Sequence, residues 1–269
     1  MIRNLAYALA DGAVVAKRNV IKIKRVPQLL IFVLISPIMF VLLFAYVFGG
    51  SIDVPGGRYR EFLIAGIFAQ TVIFGATFTG AGLADDMQKG IINRFRSLPM
   101  SRSAVLLGRT VSDIVYNVLS LLIMGATGLI VGWRIRGSLA GAVGGFALML
   151  LFAYAFSWVM AYVGLSVPSV EVVNNASFIV IFPLTFIANT FVPAENLPSA
   201  LRAFAEWNPV SSVTQAVREL VGNIPPGTPD PTAWPLQNPV LYTMLWIVAI
   251  VAVFAPLSVR KYKRIQGHR

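Results

Sequence analysis

Few side chains in this 269-residue sequence are equipped for covalent or proton-transfer chemistry. With no cysteine there is no disulfide framework, thiolate metal site or thiol nucleophile. The single histidine, His268, rules out imidazole-based metal and acid–base clusters. Among the acids the only close pair is Asp85-Asp86, with no third acid near it. A membrane enzyme acting on prenyl or phosphatidyl groups needs clustered carboxylates to hold Mg²⁺ at a pyrophosphate. The patterns Gly-x-x-x-x-Gly-Lys-Ser/Thr, Gly-x-Ser-x-Gly and His-Glu-x-x-His are all absent. The expectation is a chain that is not itself an enzyme and carries no metal or cofactor. A membrane-embedded lipid-modifying enzyme is the alternative from another class. An ion channel is a third, without a filter-like run or ring-forming acids to support it.

Apolar surface is what the sequence has in quantity. It is 57% hydrophobic and 12% charged, against about 25% charged for an average soluble domain, and its mean hydropathy is +0.75. Apolar residues collect in runs of about twenty, the length that crosses a bilayer as a helix. The chain therefore reads as an all-α, polytopic membrane protein forming one transmembrane domain over residues 1–269. The excess of 22 basic over 11 acidic residues follows from the positive-inside rule and calls for no nucleic acid. Residues 1–28 hold six basic residues and no compact apolar core, so no cleavable signal is expected.

Six spans are predicted: Leu29–Phe48, Phe62–Leu83, Leu106–Val131, Leu139–Ser166, Val172–Val192 and Val240–Val259. Pro37 and Pro183 predict kinks in the first and fifth. Gly137, Gly141 and Gly145 form a small-residue ridge suited to close helix packing, within the chain or across a dimer. The N-terminal arm, the second loop and the 260–269 tail hold 16 Lys and Arg against 6 on the other side. Both termini are therefore expected in the cytoplasm of a multi-pass protein of the plasma (inner) membrane.

Four segments outside the spans carry further signals. In residues 1–25, Ile2, Leu5, Leu9, Ala13, Ala16, Val20 and Ile23 share a helical arc opposite a basic face. Such a helix lies in the headgroup plane, as an anchor or as a lever touching a cytosolic partner. In the loop Asp85–Arg109, an Asp85 or Asp86 cap and Pro99 bound a short predicted helix. Met87, Ile91, Phe95 and Leu98 give it an apolar stripe, with Arg94 and Arg96 alongside, for lipid or for a groove on a partner. Arg109 and Asp113, four apart, are expected to pair on one helix face. Between Pro193 and Pro239, Leu201, Phe204 and Ala205 mark one short helix. Asn208-Pro209 reads as cap and first-turn proline of a second, ending near Gly222. The pair suits a re-entrant hairpin, followed at 223–239 by a proline-rich external loop.

Two stretches carry a family resemblance. One is Asp85, Gly90, Arg94-Phe95-Arg96-Ser97-Leu98-Pro99-Met100-Ser101, then Gly108-Arg109 and Asp113. The other is Phe191-Val192-Pro193, Asn196-Leu197-Pro198, Asn208-Pro209-Val210-Ser211 and Val217-Arg218-Glu219-Leu220. With the span pattern, these resemble the type-2 ABC exporter permeases, most of all their daunorubicin/doxorubicin-resistance (DrrB-like) branch. The Asp85-Asp86 pair departs from the family, whose members often carry a Glu near this point.

The resemblance implies a permease of an ATP-driven exporter of amphipathic drug-like or lipid-like cargo. Its partners would be two copies of a separate ABC ATP-binding subunit, which binds ATP and Mg, and a second permease chain, identical or paralogous. Membrane lipid is the remaining partner. The resemblance assigns ATPase coupling to Asp86, Met87, Gly90, Ile91, Arg94, Phe95, Leu98 and Pro99, and an external gate to the hairpin with Pro198, Asn208, Pro209, Arg218 and Glu219. Spans one, two and five would line the path at the dimer seam, where Phe40, Phe44, Phe68, Phe74, Phe78, Phe186 and Asn189 offer aromatic faces and one amide for planar or amphipathic cargo. Export of a lipid-linked glycan or polymer is the alternative, requiring a wider polar channel than these side chains suggest.

Overall fold

The computed structural model describes residues 38–48, 59–92, 104–224 and 227–267, with isolated positions 11, 12, 14, 21 and 35. The described elements are helical: α1 Ile38–Val47, α2 Tyr59–Gly75, α3 Thr77–Gln88, α4 Ala104–Val131, α5 Leu139–Gly164, α6 Val170–Phe186, α7 Ser199–Trp207, α8 Pro209–Val221, α9 Trp234–Gln237 and α10 Pro239–Gly267. The residues expected to form the N-terminal amphipathic helix, and Pro37, lie outside the description apart from positions 11, 12, 14 and 21.

Among the described residues four helices are long and apolar enough to cross a membrane: Tyr59–Gln88 (α2 running into α3), Val105–Val131, Leu139–Gly164 and Pro239–Ile265. The other two expected spans are shorter as described. Of the first, residues 38–47 are described as helix, with a π-helical turn at Phe44–Phe48. The fifth ends at Phe186, not Val192, and its 17 residues fall below the ~20 that span a bilayer. Pro183 lies inside that last turn, and its missing N–H leaves the helix without a ladder bond there.

Helix α5 is the centre of the bundle, packed on α3, α4, α8 and α10. Small residues allow the approach, because helices in lipid associate through close packing and not through exclusion of water. A Cβ on Gly164 would run into the Gly80 backbone, so α3 and α5 cross at van der Waals distance. The ridge Gly137, Gly141 and Gly145 packs within the chain, against Val217, Leu220 and Val221 of α8. Polar caps set the starts of several helices. The Ser138 hydroxyl accepts from the Gly141 N–H (3.0 Å), and the Ser169 hydroxyl from Val172 (3.3 Å).

The loop after α3 differs from expectation. Asp85 and Asp86 are internal to α3 and do not cap a new helix. The Lys89–Asp85 ion pair (2.8 Å, one turn apart) lengthens α3. The helix stops at Gly90, whose φ of 65° favours glycine. Ile91 and Ile92 are helical again, and Arg94, Phe95, Leu98 and Pro99 lie outside the described residues.

Candidate functional site

A cavity of about 710 Å³ lies among α1, α2–α3, α4 and α6, a size typical of small-molecule sites. Side chains four apart share one helix face, and three helices present such a face here. Gln70, Phe74 and Phe78 come from α2–α3, Tyr116 and Ser120 from α4, and Asn174, Phe178, Phe182 and Phe186 from α6, with Phe40 of α1 completing the wall. Of the seven expected path residues, Phe40, Phe74, Phe78 and Phe186 are brought together in this wall. Phe68 instead belongs to the packed core, edge-on to Trp133 (5.4 Å) and against Phe146 (5.8 Å). Asn189 is buried beside α8, where its N–H donates to the Ser211 hydroxyl (3.0 Å) and its amide to Gln215 (3.5 Å).

Phe44 lies off the cavity, in a run of rings that begins and ends on its wall. Rings run from Phe40 to Phe44 (5.7 Å), Phe191 (4.6 Å), Phe186 (5.0 Å), Phe182 (4.0 Å) and Phe178 (4.9 Å). Phe178, Phe182, Phe191, Gln70 and Asn174 are the residues that reading by sequence passed over. Most of that signal was available: 174, 178, 182 and 186 repeat at the helical interval.

The hairpin forms where expected, as α7 and α8, and two of its side chains repair the broken backbone around it. The Asn208 Oδ1 accepts from the Val210 N–H (2.9 Å), capping α8. Its Nδ2 donates to the carbonyls of Leu184 (2.7 Å) and Ile187 (3.0 Å), which α6 leaves open as it ends. Pro209 takes the first helical position, and Gly222, with φ of 73°, closes the helix. Arg218 is fully enclosed. Its Nε donates to the Phe62 carbonyl (2.9 Å), Nη2 to the Thr190 carbonyl (3.1 Å), and the guanidinium lies 3.4 Å over the Phe62 ring. Thr190 reaches this point because α2 has glycine at 66, where a Cβ would collide with the Thr190 carbonyl. Glu219 is exposed and bonded by Gln215 (3.2 Å), not paired with Arg218. Pro198 precedes α7 without a side-chain cap.

The α4–α5 turn is tied to the end of α8. Trp133 Nε1 donates to the Asn223 Oδ1 (2.6 Å), Asn223 Nδ2 to the Arg134 carbonyl (2.8 Å), and the Arg136 and Gly137 N–H groups to the Val221 carbonyl (2.9 and 2.8 Å). Arg136 forks onto Glu61 at 2.7–2.9 Å. That hydrogen bonding, and then the carboxylate charge, raises the Arg136 pKa above the ordinary value.

At the opposite end, Leu83, Ile92, Leu106, Trp158, Leu165 and Tyr262 form an apolar cluster with Met87 packed on it. Asp86 is buried, and Ile91 and Gly90 are half-buried. Arg109 and Asp113 do not join in an ion pair. The Arg109 guanidinium donates to the Phe78 carbonyl (2.8 Å), and the Asp113 carboxylate accepts from the Thr79 hydroxyl, so both reach across to α3.

Long apolar helices, one broken helix repaired by a hairpin, and an aromatic cavity between them define a helical membrane transport protein. The comparisons with known proteins agree. Residues 12–221 match the ABC-2 type transporter family, and the chain belongs to that family. It is 33% identical over 251 residues to the daunorubicin resistance ABC transporter permease protein DrrB1 of Streptomyces coeruleorubidus, covering 93% of this chain and 85% of that protein. A probable doxorubicin resistance ABC transporter permease protein, DrrC of Mycobacterium tuberculosis, is 23% identical over 239 residues, covering 87% and 82%. The putative transport permease ycf38 of Cyanophora paradoxa is 24% identical over 220 residues, covering 80% and 75%.

Proposed function

We propose that the chain is the membrane subunit of an ATP-driven exporter that moves amphipathic, drug-like molecules out of the cytoplasm or inner leaflet. The observation that carries this reading is the 33% identity, over 93% of the chain, to a daunorubicin resistance permease. ATP and Mg would act on a separate ATP-binding subunit, two copies serving a pair of permease chains. Both termini and the Asp85–Arg109 segment would face the cytoplasm in the plasma membrane, and Pro193–Pro239, with the α7–α8 hairpin, the outside. The distribution of Lys and Arg supports this orientation.

Two rigid states biased by a nucleotide-driven partner suffice for such a pump. Asp86, Met87, Gly90, Ile91, Arg94, Phe95, Leu98 and Pro99 form the coupling segment. The hairpin with Pro198, Asn208, Pro209, Arg218 and Glu219 is the external gate. The experiment is affinity purification in mild detergent: an ATP-binding subunit comes with the chain and the complex hydrolyses ATP. A pure chain that modifies lipid without such a subunit overturns the reading. Phe95→Ala lowers co-purification and ATPase stimulation, and an unchanged complex removes the coupling role. Labelling of Ser199→Cys from outside intact cells checks the orientation, and labelling from the cytoplasmic side alone reverses it.

A further inference from the structure

We propose that the foot of α10, at Arg260 and Arg264 with Lys261 and Lys263 beside them, is a docking site for the phosphate of anionic phospholipid in the cytoplasmic leaflet. The proposal takes its leaflet from the permease reading, which puts the end of the chain in the cytoplasm. Three observations carry it.

The first is concentrated charge. Arg260, Lys263 and Arg264 are exposed and Lys261 is half-buried. α10 contains no acidic residue, and none of the four cations enters an ion pair among the described residues. Like charges this close repel one another until counter-charge gathers on them. Basic clusters directly beyond a membrane span attract anionic lipid, with each Lys or Arg near the surface adding to the attraction.

The second is direction. Positions 253, 257, 260 and 264 follow at intervals of four, three and four, the spacing of one helix face. Val253 and Leu257 are exposed apolar side chains, at 50% and 36%, so Arg260 and Arg264 continue the stripe that α10 turns to lipid. The opposite face fixes this rotation. Tyr262 is 1% exposed in the cluster with Leu106 and Trp158, and the Ser258 hydroxyl donates to the Trp158 carbonyl (3.2 Å). Met87 of the proposed coupling segment packs on that same cluster. The two guanidinium groups therefore point away from the coupling segment and toward the bilayer.

The third is depth. Aromatic side chains mark the other end of the helix, where Tyr242 stands edge-on to Trp207 (6.4 Å), Trp234 (6.0 Å) and Trp246 (6.3 Å). Trp and Tyr collect at the headgroup level of a bilayer. From Tyr242 to Arg260 a helix rises about 27 Å, close to the ~30 Å of a hydrocarbon core. With the aromatic cluster at one headgroup region, the arginines reach the other. A guanidinium fork matches phosphate oxygens with paired hydrogen bonds. Anionic lipid is favoured over zwitterionic lipid, whose ammonium would meet the same four positive charges.

The test uses the full chain in nanodiscs of phosphatidylcholine mixed with phosphatidylglycerol. The sequence has no cysteine, so Leu257→Cys places a single fluorophore one turn above Arg260, and Leu241→Cys places one at the aromatic end. Brominated acyl chains on either lipid quench a fluorophore that they touch. At position 257 brominated phosphatidylglycerol is expected to quench as if enriched about tenfold over brominated phosphatidylcholine, and at position 241 no differently from it. Arg260→Gln combined with Arg264→Gln should lower the enrichment about fivefold or more, and added salt should lower it too. If the double variant does not fold, Arg264→Gln alone is read in the same way. Equal quenching by the two lipids at position 257, or enrichment that survives the arginine substitutions, overturns the proposal. ATP-binding subunit co-purification is scored on the same preparations. Substitutions that release the subunit and keep the lipid assign the arginines to a protein partner and also overturn it. A retained subunit without lipid enrichment sinks this proposal alone, whereas enrichment without any subunit leaves the lipid site standing and sinks the permease reading.

Discussion

The two ends of the bundle are held by different physics. At the end formed by the starts of α2 and α5 and the hairpin, the chain breaks repeatedly, and polar side chains meet the exposed carbonyls. Arg218 serves Phe62 and Thr190, Asn208 serves Leu184 and Ile187, and Asn223 serves Arg134. At the other end α3, α5 and α10 finish and α4 begins, and the apolar cluster around Leu106, Trp158 and Tyr262 holds them. Irregular backbone at membrane depth is tolerated only when protein satisfies it. The hairpin end therefore depends on a few irreplaceable donors, while the opposite end spreads its stability over many replaceable contacts.

The largest effect that tests this contrast is removal of the enclosed guanidinium. Arg218→Met keeps length and apolar bulk but removes both guanidinium hydrogen bonds and leaves the Thr190 carbonyl without this donor. Hydrogen bonds to charged groups contribute about 1.5–3 kcal/mol each, so a loss of about 3 kcal/mol or more is expected. Thermal unfolding of the detergent-solubilised chain, followed by tryptophan fluorescence, measures it. Transport should fail with it, and normal transport by Arg218→Ala would remove the gate role. A variant as stable as the parent would show that the hairpin end does not rely on this donor.

Asn208 comes next, and two substitutions separate its two jobs. Asn208→Ala loses the α8 cap and both ties to α6, for about 2 kcal/mol from the cap and the orphaned carbonyls. Asn208→Ser restores an acceptor for the Val210 N–H but cannot reach back to Leu184 and Ile187. Ser is expected to recover about 1 kcal/mol, the usual value of a cap. Full recovery would mean that the ties to α6 contribute nothing.

The same contrast explains what could be read from the sequence. The hairpin was legible almost to the residue, since Asn208-Pro209 and Gly222 are local signals acting within one helix. The four long spans were legible because length and apolarity act on each helix separately. What decided the end of α6 was not local: the carbonyls at 184 and 187 are met by a residue more than twenty positions later. The start of the expected loop helix failed for a related reason. Asp85 and Asp86 suit a cap, but they lie inside α3, where Asp85 pairs with Lys89, and the helix ends only at the glycine at 90. Phe40, Phe74, Phe78 and Phe186 could be picked by type, but Phe68 and Asn189 could not be set apart. Which face of α2 meets α4 or the hairpin is a property of the whole bundle. Arg109 and Asp113 satisfied the four-residue rule on one helix, yet each found a better partner on α3.

At the opposite end a smaller effect is expected from Gly90. Its φ of 65° is costly for residues with a Cβ, so Gly90→Ala should lose about 1 kcal/mol. Because the turn redirects the chain into the proposed coupling segment, ATPase stimulation should fall more than stability does. Equal losses in both would mean the turn acts only on folding.

The smallest effect concerns the ion pair that sits at the polar end without repairing its backbone. Arg136 forks onto Glu61, but its side chain is 45% exposed while that of Glu61 is 8% exposed. Pairs with one partner in water gain little and are screened by salt. The Arg136 and Gly137 N–H groups remain bonded to the Val221 carbonyl whatever the side chain does. Glu61→Gln keeps an amide oxygen for the guanidinium and removes only the charge. The melting temperature is therefore expected to shift least of all four sites, and the difference from the parent should shrink as salt is added. A loss as large as that of Arg218→Met, insensitive to salt, would place this pair among the donors the end depends on. The contrast between the two ends would then be one of charge and not of carbonyl repair.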